Sequence, residues 1–101
     1  MTKPITDQST LERVKEMTRQ ALEREAEKLL ALDAVKVRIS DAAGEGYTRL
    51  TVAPERGVDV SKTTTAKATV ATFLAEGVST EWEVRQHPDG RTSQALIVRW
   101  S

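Results

Sequence analysis

The sequence predicts an α+β domain. It reads as a two-layer sandwich in the order α-β-β-α-β-β, with two helices on one face of a four-stranded antiparallel sheet. Three observations lead there. Residues 10–32 carry apolar side chains at helical spacing, two pairs of alternating segments flank turn-forming residues, and a second helical stretch ends at Gly77.

The first nine residues are polar and contain Pro4, so they read as a flexible arm ahead of a single domain over 10–101. Ser9, with Glu12 three residues on, has the form of a capping box. From there Leu11, Val14, Thr18, Ala21, Leu22, Glu25, Leu29 and Leu32 form one stripe. Glu12 with Lys15, Glu16 with Arg19 and Glu25 with Lys28 are three apart, and each such pair adds a few tenths of a kcal/mol. Met17, Ala26 and Leu30 fall off the stripe, and a helix with more than one apolar side needs more than one cover. The expectation is that this helix can serve a homodimer. Thr18, Glu25 and Lys28 interrupt a coiled-coil seam.

The period then changes. Val35, Val37 and Ile39 alternate with Lys36, Arg38 and Ser40, Asp41 to Gly46 supplies turn chemistry, and Tyr47 to Ala53 alternates again, which reads as a first hairpin. Pro54 and Gly57 end it. Asp59 or Ser61 caps a second helix to Glu76, with Thr63, Ala66, Val70, Phe73 and Leu74 facing inward and Gly77 as the left-handed stop. Its five threonines lower helix propensity, and an extended form of 63–72 competes.

The final hairpin has the sharpest pattern. Thr80 to Gln86 and Ser93 to Trp100 flank His87-Pro88-Asp89-Gly90; Pro88 and Asp89 suit the central turn positions, and Gly90 the left-handed position that closes a bulged turn. Thr80, Trp82 and Val84 share a face with Leu96, Val98 and Trp100, so both tryptophans read as core.

Composition narrows function. The chain has 101 residues, 39% of them hydrophobic, enough for one core. Fifteen basic and fifteen acidic residues cancel, which argues against binding nucleic acid or anionic membrane by bulk charge. There is no cysteine, so disulfides and thiolate chemistry are excluded. No apolar run has signal-peptide or membrane-span length, and the expectation is a cytoplasmic protein without membrane attachment.

No catalytic or cofactor motif emerges. His87 is the single histidine and reads as a turn-shaping residue, so a small enzyme with a site near it is only an alternative. Asp41 to Gly46 lacks the ligand spacing of a calcium loop. Gly57 to Thr63 has the wrong spacing for a phosphate loop and allows at most a weak anion site at the following helix. No metal and no cofactor is expected.

The outer sheet face is the expected working surface. Alternation assigns it Lys36, Arg38, Tyr47, Arg49, Thr51, Glu81, Glu83, Arg85, Ala95, Ile97 and Arg99, five basic and two acidic. Arginine and tyrosine are enriched at interface centres, and Ile97 offers an apolar seed. The sequence reading is therefore a small non-enzymatic protein that binds a protein partner through Arg38, Tyr47, Arg49, Arg85, Ile97 and Arg99. Small neutral cysteine-free proteins of this class are frequent among phage and mobile-element accessory proteins, including inhibitors and regulators of host complexes. The alternative is single-stranded nucleic-acid binding on the same face, with Tyr47 stacking on bases.

Overall fold

The computed structural model describes residues 8–100. Three helices and three strands follow one another as α1 (Gln8–Leu30), α2 (Leu32–Gly44), β1 (Arg49–Val52), α3 (Thr64–Ala75), β2 (Ser79–Gln86) and β3 (Thr92–Arg99). The sheet is antiparallel throughout and runs β1-β3-β2. The α+β class holds, while the expected four strands become three and the expected two helices become three.

The difference lies in residues 33–44. Val35, Val37 and Ile39 alternate, yet Leu32, Val35, Ile39 and Ala42 also stand at i, i+3, i+7 and i+10. The structure follows the helical period. Val35 is fully buried, Ile39 packs at the core margin and Val37 is 61% exposed. Asp41 to Gly46 accordingly ends a helix instead of joining strands. The amide of Gly46 donates to the Ala43 carbonyl and that of Tyr47 to the Ala42 carbonyl, both at 3.0 Å, with Gly46 at φ +92°. That paired closure needs a left-handed residue, which glycine adopts without a Cβ clash.

α1 and α2 meet at Ala31, whose extended backbone (φ −54°, ψ 136°) breaks the helix. The Leu30 carbonyl at this corner accepts the buried Thr69 hydroxyl at 2.6 Å, so α3 satisfies the end of α1. Ser9, expected ahead of the first helix, lies within the range of α1. α3 is capped by Thr63, where Asp59 or Ser61 was expected. The Thr63 hydroxyl accepts the Ala66 amide at 3.2 Å and donates to the Val60 carbonyl at 2.8 Å. Asp59 instead accepts the amide and the hydroxyl of Ser61, holding the loop before that cap.

The final hairpin forms in the expected register, with Trp82 opposite Leu96 and Thr80 opposite Val98. The Gly90 amide donates to the His87 carbonyl at 3.0 Å, and the His87 amide to the Arg91 carbonyl at 2.9 Å. β1 pairs with the other edge of β3, placing Leu50 beside Val98 and Val52 beside Leu96. The inner face so built meets the helices. Phe73, Leu30, Leu96, Val35, Val52, Val60 and Val98 are its largest buried apolar side chains, and Trp82 and Trp100 pack partly buried against them. Each such side chain contributes about 1.5–3 kcal/mol when fully buried.

This core occupies only the middle of the molecule. The extents are 62 × 30 × 17 Å and the radius of gyration is 16.5 Å, against about 13 Å for a compact chain of this length. Two stretches lie outside it. Every residue from 11 to 20 is exposed, and on the final hairpin inward-facing Val84 is 56% exposed.

Candidate functional site

The outer face of the sheet retains most of its expected residues. Arg49, Thr51, Glu81, Glu83, Arg85, Ala95, Ile97 and Arg99 lie on it by register. Arg38 and Lys36 do not, because they belong to α2, where Lys36 pairs with Glu76 at 3.2 Å. Tyr47 precedes β1 as the residue that completes the α2 closure, 62% exposed. Four of the six expected contact residues therefore share the face by register, while Arg38 lies on α2 and Tyr47 lies just ahead of β1.

Physical chemistry weakens this face as an apolar interface. Ile97 is 8% exposed and Ala95 is buried, each flanked across β2 by an acidic residue, Glu81 and Glu83. Arg99 pairs with Glu81 at 2.9 Å and Arg85 approaches Glu83 at 3.9 Å. These are cross-strand and same-strand ion pairs on a solvated surface, worth fractions of a kcal/mol each. Arg49 has no ion pair among the described residues.

The His87 region is held together by its own contacts. The His87 Nε2 lies 2.8 Å from the Ser93 Oγ, and Ser93 is 1% exposed, so that hydroxyl is not open to a substrate. Beside it Glu55, Arg56, Gly57, His87, Asp89 and Arg91 line a groove of about 420 Å³. Arg56 reaches Glu25 at 3.6 Å, and Asp89 accepts the Arg91 amide at 3.0 Å. The arrangement braces the turn against the 54–58 loop. Among the described residues, no three His, Cys, Asp or Glu side chains group to hold a metal, and no helix is long and apolar enough to cross a membrane.

The anion site suggested for the start of the second helix is filled from within the chain. The Glu23 Oε1 accepts the Thr64 amide at 2.7 Å, and the Glu27 Oε1 accepts the Thr65 hydroxyl at 2.8 Å. The Thr64 amide holds the Glu23 carboxyl below the usual carboxylate range, against the opposing effect of burial. Two acids one turn apart on α1 thus occupy the positive end of α3.

The surface that sequence reasoning underrated is the first half of α1. Leu11 and Val14 are 40% exposed and Met17 is 66% exposed. At 3.6 residues per turn these three share a stripe with Thr18 and Ala21. Lys15 and Arg19 flank the stripe on one side, and Arg13 and Arg24 on the other. Glu12 and Glu16 lie on the back. The Arg19 guanidinium and the Gln20 amide both donate to Glu16, which holds its carboxyl at about 2. The signal was present in the sequence as Met17 standing beside Leu11, Val14, Thr18 and Ala21 on a widened apolar sector. What it lacked was the fact that the rest of the fold leaves residues 11–20 exposed. Compared with protein-family models, with curated proteins and with solved structures, the chain matches none of them.

Proposed function

We propose that the protein is a non-enzymatic protein-binding module whose docking element is the projecting half of α1. The observation that carries this reading is an apolar stripe, Leu11, Val14 and Met17, exposed on a helix anchored at its other end by Ala26 and Leu30 in the core. A preformed helix that lays i, i+3 and i+6 anchors into a groove avoids the cost of ordering on binding. Cations on both flanks with acids behind suit an apolar groove rimmed by carboxylates. The same flanks disfavour a second copy of this helix as the occupant, since Lys15 and Arg13 would meet like charges.

The sheet face supports the same function class less well, because its apolar residues are covered and its arginines largely neutralised. Single-stranded nucleic acid is supported less again, with Glu81 and Glu83 exposed in the path of phosphate.

The test is capture from extracts of the native host by photo-crosslinking from position 18, on the same exposed stripe, and, separately, from position 49. Partner capture from position 18 that is lost in the Leu11→Asp, Val14→Asp, Met17→Asp triple variant and kept in Arg49→Glu, Arg99→Glu supports the reading. Loss in the arginine variant alone transfers the site to the sheet, and a nuclease-sensitive species captured from position 49 favours nucleic acid.

A further inference from the structure

The sheet has two edges, and they are unequal. β1 is four residues long and runs into Pro54 two positions later; β2 is eight residues long and contains neither proline nor glycine. The bond from the His87 amide to the Arg91 carbonyl fixes which backbone groups of β2 face its partner strand. By antiparallel alternation His87, Arg85, Glu83 and Glu81 direct their amides and carbonyls to β3, and Gln86, Val84, Trp82 and Thr80 direct theirs outward. The pairing of β1 agrees, because the Trp100 amide bonds the Thr48 carbonyl and leaves Arg99 and Ile97 to face β2. Among the described residues, no backbone bond to another segment uses the outward groups of Thr80, Trp82, Val84 or Gln86.

We propose that β2 is a self-pairing edge: a second copy of the chain adds its own β2 antiparallel across a two-fold axis at Val84, giving a continuous six-stranded sheet. Edge strands are usually guarded by charge against indiscriminate pairing, and Glu81, Glu83 and Arg85 supply that guard. The pattern is nevertheless complementary to itself. With Val84 opposite the partner's Val84, Glu83 faces the partner's Arg85 and Arg85 faces the partner's Glu83, while Trp82 lies opposite the partner's Gln86. No like charges meet. Shifting the axis to Glu83 would set two glutamates against each other at the closest kind of pair, which is destabilising.

Apolar exposure points to the same edge. Val84 is 56% exposed on the helix-bearing face, and Leu74 is 74% exposed where an inward position was expected. Leu74 lies half a turn round α3 from Thr65, the residue bonded to α1 through Glu27. It therefore sits on the flank of α3 turned away from α1, and α3 packs on β2. Closed two-fold pairing covers both residues and satisfies both edges at once, which an open contact would not.

The absence of cysteine makes the experiment clean. Residues opposite themselves in a hydrogen-bonded antiparallel pair have Cα atoms about 5.5 Å apart, within disulfide range. The wild-type chain should sediment at twice 11.2 kDa, and purified Val84→Cys should crosslink to a dimer on mild oxidation while Glu83→Cys does not. Glu83→Arg should weaken self-association at least tenfold, and Glu83→Arg with Arg85→Glu should restore it, with circular dichroism unchanged in both. A monomeric wild type at 100-micromolar order, crosslinking through Glu83→Cys in place of Val84→Cys, or a dimer abolished by the α1 triple variant each overturns the proposal. Only the last of these results bears on the α1 stripe, since it would seat a second copy there; the others leave partner capture by that stripe unaffected.

Discussion

The Glu23 carboxylate accepts the backbone amide of Thr64 at 2.7 Å, so the middle of α1 closes the first turn of α3. The bond couples two helices 41 residues apart in the chain, and it marks where the anchored half of α1 gives way to the exposed half. Glu27 repeats the arrangement one turn on through Thr65. The docking of α1 on α3 is therefore polar at its outer margin and apolar only beneath, where Ala26 meets Ala66 and Phe73 in one core.

Acid should loosen this joint in a defined window. The Thr64 amide lowers the Glu23 carboxyl below its ordinary 4.5. A group whose pKa falls on folding adds stability above the unfolded value and loses it as pH drops through the folded one. Glu23→Ala should melt below the wild type at neutral pH. The gap should close as pH falls below 4.5, which thermal scans across pH 3–7 would read. A gap of constant size would mean that the carboxylate charge contributes nothing.

The Thr69 hydroxyl is the second polar joint, bonded to the Leu30 carbonyl at 2.6 Å with Thr69 only 3% exposed. Thr69→Val keeps the shape and removes the donor, leaving a buried carbonyl unpaired at the α1–α2 corner. The expected loss is about 1–3 kcal/mol, measured by urea denaturation. Thr72→Val should change stability by less than about 0.5 kcal/mol, because that hydroxyl bonds the Ala68 carbonyl of its own helix at an exposed position.

These joints show where sequence reasoning succeeds and where it stops. The final hairpin was legible because its alternation, Pro88, Asp89 and Gly90 all agree with one register, and local agreement of that kind leaves few alternatives. Residues 33–44 were ambiguous because Val35 and Ile39 satisfy a period of two and a period of 3.6 together. The choice fell to tertiary packing, which rewards α2 for burying Val35 between α1 and β1. That error carried Lys36 and Arg38 onto a face they do not occupy. The arm of α1 was legible as a helix but not as a surface, because no local pattern states how far the rest of the fold covers it.

Gly57 is fixed by its neighbour. A Cβ built there would stand 2.4 Å from the Cβ of Arg91, so the 54–58 loop lies against the hairpin at a distance only glycine allows. Gly57→Ala should cost about 1–3 kcal/mol and should push the loop off the turn. Since the obstructing atom is the Arg91 Cβ, Arg91→Gly in the same chain should recover part of the loss. A double-mutant cycle in urea would show a coupling above about 0.5 kcal/mol. Additive effects would place the strain elsewhere in the loop.

The arm separates stability from binding. Leu11, Val14 and Met17 contribute little to the core, because each is at least 40% exposed and none belongs to the buried cluster. The Leu11→Asp, Val14→Asp, Met17→Asp variant should therefore leave the cooperative unfolding of the body within about 0.5 kcal/mol per site of the wild type. Its first turns keep the Glu16 pairing with Arg19 and Gln20, so helical circular dichroism should also persist. Partner capture through position 18 should nonetheless fall to background. A large fall in stability would instead place these residues in a folded contact, and the projecting helix would then owe its stripe to packing and not to recognition.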